Sequence, residues 1–179
     1  SLGGRRAAIL LRPYAAFPLA LAVQSRAGAE LGEVFTFLSG LYFRGKARYA
    51  RAFARPPGAV PGALVITSGE GLVTLDERMD AARLRALAAI PIDAGERRYV
   101  APLLRGAREL AAHAGPDCRV VLLGSIATAK YVEPLHAGPA ATDELLEVIG
   151  RYGCNFALID SMSEIKGGSG GDTPEDYYP

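Results

Sequence analysis

Hydrophobic positions along this chain alternate between short continuous runs and longer stretches of helical period. Ala63-Leu64-Val65-Ile66-Thr67 is apolar at all but its last position, the pattern of a strand covered on both faces. Arg119–Leu123 and Asn155–Ile159 have the same character and predict two more buried strands. Arg6–Leu11 also reads as a short buried strand, closed by Arg12-Pro13, and Leu19–Gln24 is a further apolar run. Between these runs the period lengthens. Leu41–Ala54 predicts a helix with Leu41, Tyr42, Ala47, Ala50 and Phe53 or Ala54 inward, and Arg44, Lys46, Arg48 and Arg51 outward. A helix follows near Asp80–Ala89, then one through Val100, Leu103, Leu104, Ala107, Leu110 and Ala111. Pro102 is expected in the first turn of the latter, where a missing N–H leaves no bond unmade. Helices at Ile126–Leu135 and Thr142–Tyr152 complete the series, with Thr142 as N-cap of the second.

Strands alternating with helices imply crossover connections and an α/β fold. The expected architecture is a three-layer Rossmann-like domain around a mostly parallel sheet of about five strands. It occupies residues 1–165, and 166–179 read as a flexible Gly/Ser-rich linker and acidic tail. With 179 residues, half of them hydrophobic and none Trp, the chain supports one domain whose core is built on Ala, Leu, Val and Ile.

Charge changes this picture by its distribution. The formal net charge is only +1, which does not indicate nucleic acid, though it leaves such a partner open. Residues 1–55, however, hold nine Arg/Lys against Glu30 and Glu33, while residues 140–179 hold Arg151 and Lys166 against eight carboxylates. A basic front and an acidic back either meet different partners or fold against each other. The apolar runs are too short to span a bilayer, and Arg12-Pro13 interrupts any signal-like segment, so a cytoplasmic protein is expected. Cys118 and Cys154 do not make a disulfide framework, and His113 and His136 lack companions at metal-ligand spacing. No metal is expected and no cofactor is named by the sequence.

Three segments carry candidate chemistry, since ligands of parallel sheets bind beyond the carboxyl ends of the strands. In Thr67-Ser68-Gly69-Glu70-Gly71-Leu72-Val73, glycines permit close backbone approach, and Ser68 and Glu70 are the candidate catalytic residues, Glu70 as general acid/base. In Gly124-Ser125-Ile126-Ala127-Thr128-Ala129-Lys130-Tyr131, a strand-to-helix turn offers free amides to an anion, Ser125 can add a hydroxyl, and Thr128 and Lys130 are close enough in sequence to contribute. It is neither a P-loop nor a Gly-x-Gly-x-x-Gly fingerprint. In Phe37-Leu38-Ser39-Gly40-Leu41-Tyr42-Phe43-Arg44-Gly45-Lys46, Ser39 can cap the basic helix, and Arg44, Lys46 and Arg48 can reach phosphate or carboxylate. Tyr42, Phe43 and Tyr49 suit either base stacking or a core. Each segment also has a plain structural reading, as a tight turn, an N-cap or a solvated face.

Together the segments resemble a group of uncharacterised bacterial α/β proteins distantly like the core domain of archaeosine synthases. The likeness rests on Leu41–Ala50, Val65–Val73 and Val121–Ser125 with Lys130-Tyr131, over roughly residues 37–135. It implies a Rossmann-like sheet, a link to modified nucleobases, nucleosides or nucleotides, and roles for Arg44, Ser68, Gly71, Gly124 and Tyr131. Glu70 departs from the pattern of the relatives. The leading expectation is a hydrolase or transferase acting on a nucleobase, nucleoside or nucleotide. Its anionic group would sit at Gly124-Ser125 and Lys130, protons would pass through Glu70, and Arg44 would fix a phosphate or carboxylate. The rival expectation is a non-catalytic nucleotide- or protein-binding module using the basic 41–55 helix. A homo-oligomer remains a third possibility.

Overall fold

A computed structural model describes residues 4–58, 60–115, 118–123 and 155–160. The chain begins with two short helices, α1 (Arg5–Leu10) and α2 (Pro18–Gln24). A two-residue strand β1 (Ala29–Glu30) leads into α3 (Leu31–Ser39) and the longer α4 (Leu41–Phe53). Strands β2 (Ala63–Thr67) and β3 (Gly71–Thr74) follow as a hairpin, then β4 (Arg78–Met79), α5 (Ala81–Ala88) and α6 (Arg97–Ala114). Strands β5 (Arg119–Leu123) and β6 (Asn155–Asp160) complete the described elements. The expected helices at 126–135 and 142–152 lie outside the described residues.

Four strands form the main sheet in the order β3-β2-β6-β5, and β1 pairs with β4 in a separate ribbon. β6 is inserted between β2 and β5 and runs parallel to both, whereas β3 lies antiparallel on the outer side of β2. The sheet is therefore mixed and mostly parallel. Side chains alternate across it, as a pleat requires. Val65, Val73, Ala157 and Ile159 enter a core shared with residues of α1 to α5. Leu64, Ile66 and Leu158 face the opposite way and meet Tyr99, Leu103, Ala107 and Leu110 of α6. Among the described residues this gives three layers, with α1–α5 on one face and α6 on the other.

Four expectations are corrected. Arg5–Leu10 is helical where a strand over 6–11 is expected, with Ala7 and Leu10 buried three apart and Ala8 exposed; so short an apolar run carries no decisive period. The 19–24 run is a helix as well, opened by Pro18 at its first position and burying Ala20 and Val23. Pro102 lies inside α6 rather than in its first turn, because the helix starts at Arg97, where the Glu96 carboxylate accepts the Arg98 backbone N–H. Finally, α4 turns Phe43, Ala47 and Ala50 inward, at positions i, i+4 and i+7. Leu41, Tyr42 and Phe53 are 61%, 58% and 58% exposed.

Candidate functional site

The parallel register brings the carboxyl ends of three strands to one edge of the sheet. Ile66 of β2 stands beside Asp160 of β6, and Leu123 of β5 beside Ile159. Ser68 and Glu70 follow β2 at this edge, and β5 reaches it at Leu123. Gly124, Ser125, Thr128, Lys130 and Tyr131 themselves lie outside the described residues.

The turn after β2 is tied down through each of its polar side chains. The Thr67 hydroxyl donates to the Gly71 carbonyl (3.0 Å) and accepts the Glu70 N–H (3.2 Å), closing the hairpin. Ser68 is fully buried, and its hydroxyl donates to the Leu87 carbonyl at 2.6 Å, joining the end of β2 to the end of α5. Gly71 has φ 71°, and a Cβ there would run into the Pro102 carbonyl, so β3 and α6 meet through the missing side chain. Ser68 and Gly71, both singled out in the sequence, thus secure the hairpin against the helices on either side.

Glu70 faces outward onto Arg83 of α5. The Arg83 Nε donates to both carboxylate oxygens at 2.9 Å, and Nη2 donates to Oε2 at 2.6 Å. Arg83 also reaches Glu77 at 3.2 Å and the Arg78 carbonyl. Its position is fixed by Asp80, which caps α5 by accepting the Arg83 backbone N–H at 2.8 Å. The hydrogen bonds to Glu70 raise the Arg83 pKa above its ordinary value; partial burial opposes them, and the charges of Glu70 and Glu77 add to them. Nothing in the sequence marks Arg83 as the partner of Glu70, because the thirteen-residue separation is closed only by the β3–α5 connection.

The second candidate surface is α4. Ser39 does not cap it: Ser39 ends α3, and Gly40, at φ 64° beside the Arg6 guanidinium, occupies the cap position with no side-chain bond. At the other end, Ala54 is held against Gly62 as the chain enters β2, and Arg51 pairs with Asp76 at 3.2 Å and with Glu30 at 3.9 Å. Arg44 and Lys46 lie away from that anchored end. Arg44 and Arg48 are exposed, and among the described residues neither meets a carboxylate. Tyr42, Tyr49 and Phe53, at positions i, i+7 and i+11, form an exposed aromatic stripe, with the Tyr49 and Phe53 ring centroids 4.8 Å apart. No acidic residue occurs anywhere in α4.

Other chemistry is sparse. Among the described residues no group of three or more His, Cys, Asp or Glu could hold a metal ion, and no helix is long and apolar enough to cross a membrane. Cys118 is buried, and the His113 Nδ1 lies 2.6 Å from the Glu109 carbonyl oxygen. No protein-family model matches the chain, and neither a curated protein nor a solved structure is found that matches it.

Proposed function

We propose that this protein is a non-catalytic binding module that takes an anionic, nucleotide-like partner on the basic helix α4. The observation that carries this reading is the contrast between the two candidate surfaces. At the carboxyl edge, Ser68 is buried and bonded, and Glu70 already has a cation on both of its oxygens. On α4, two arginines and three aromatic rings stand in solvent with no structural task assigned to them. A helix whose first turn lacks an acid and is followed at once by Arg44 also sets positive charge against the positive end of its dipole, a conflict that a bound anion relieves. The wider frame is a Rossmann-like sheet of about five strands, with the turn at Gly124-Ser125 as a second anion-holding position.

Retention on a heparin column tests the reading. The wild-type protein is expected to bind at low salt, and Arg44→Ala/Arg48→Ala to elute at clearly lower salt with an unchanged melting curve. Equal elution of the two proteins overturns it.

A further inference from the structure

Resting on that reading, we infer that α4 is a track for single-stranded nucleic acid, with phosphates on its arginines and bases on its rings. At 3.6 residues per turn, Arg44 lies about 160° and Arg48 about 120° around the helix from the stripe of Tyr42, Tyr49 and Phe53. Gly45 sits between the two stripes on the outward face, and nothing lies within 4 Å of where its side chain would begin. The exposed face of α4 therefore carries cations along one flank and π-faces along the other, with Gly45 and the exposed Leu41 between them. Single-strand binding without sequence preference needs this combination, because every phosphate is an anion and every base has a face to stack.

The same features argue against other occupants. A second copy of the helix would set arginine against arginine, since α4 has no acid to receive them. An acidic peptide would satisfy Arg44 and Arg48 but leave no use for three exposed rings in a row. A duplex could meet Arg44 and Arg48 through its phosphates or guanine edges, but its bases stay stacked on one another and leave the three exposed rings unused.

The test is fluorescence anisotropy with labelled oligo(dT), with poly-Glu as competitor and melting curves confirming that each variant is folded. Wild type is expected to bind, with affinity falling about sevenfold between 50 and 200 mM salt for two phosphate contacts. Arg44→Ala/Arg48→Ala should remove most of that salt dependence. Tyr42→Ala/Tyr49→Ala should weaken binding about tenfold or more, since stacking is lost while charge is kept. Gly45→Leu keeps every charge and ring and only fills the space between them; it should weaken oligo(dT) but leave heparin retention intact. If the ring and glycine variants bind oligo(dT) like wild type, or if poly-Glu competes equally well, the inference falls while the basic surface stands. If neither oligo(dT) nor heparin is bound, both fall.

Discussion

Arg83 holds Glu70 by three hydrogen bonds of 2.9, 2.9 and 2.6 Å, so the most plausible proton-transfer group in the sequence serves as one end of an ion pair. The pair links the β2–β3 turn to α5, and Arg83 continues to Glu77. The Arg83 and Glu70 side chains are 25% and 34% exposed, which moderates the pair's strength by solvent screening. Glu70→Gln is expected to cost about 1 kcal/mol and lower Tm by about 2–4 °C. Heparin retention should be unchanged. A variant that keeps its Tm but loses anion binding would return Glu70 to the site.

Ser68 and Gly71 should behave as structural residues. Ser68→Ala removes the bond to Leu87, whose carbonyl keeps a second partner in the Ile90 N–H at 3.2 Å, so a cost of about 1 kcal/mol is expected from urea denaturation. Gly71→Ala combines a left-handed backbone with overlap onto Pro102 and is expected to cost about 3 kcal/mol. A larger loss for Ser68→Ala than for Gly71→Ala would contradict this account of the hairpin.

Acid stability has a marked source at the start of α6. The Glu96 carboxyl is held down to about 2, chiefly by the side-chain hydrogen bond from Arg98 and then by the Arg98 backbone N–H. A carboxyl whose folded pKa is depressed stabilises the fold above its unfolded pKa and loses that contribution as pH falls through the folded value. Glu96→Ala is therefore expected to lower Tm at neutral pH. Its deficit should shrink as pH falls from about 4.5 towards about 2. A deficit that is constant across this window would assign the effect to helix propensity alone.

Gly45 separates stability from binding. It lies in the interior of α4 with open space where a side chain would start, and its dihedral is not of the kind that demands glycine. Gly45→Ala is expected to stabilise the protein by about 1 kcal/mol, read as a rise in the denaturation midpoint. A fall in the midpoint would show that the face above Gly45 is occupied in the folded protein.

The elements most legible in the sequence were those whose pattern admits a single reading. β2, β5 and β6 stood out because both faces of the sheet are covered, and α4 and α6 because their apolar positions recur over several turns. The amino-terminal run failed because six residues fit a strand or a helix equally, and only packing against α2 and α3 decides between them. β3 is hidden in the sequence because Gly69 and Gly71 resemble the glycines of a binding turn. Their physical use here is to let Ile90 pack against the turn at Gly69 and α6 approach at Gly71. On α4 the sequence located the charged face correctly but turned two of its aromatic residues inward, because an amphipathic pattern does not say which apolar stripe the neighbouring sheet will claim. Phe43 won that place over Tyr42 and Phe53.

The most direct measurement is amide hydrogen exchange of the protein with and without heparin, resolved by segment. The account expects slowed exchange across residues 41–53, lost in Arg44→Ala/Arg48→Ala, with 67–74 unchanged. Protection at the 67–74 hairpin and none on α4 would contradict it and move the anion site to the carboxyl edge of the sheet.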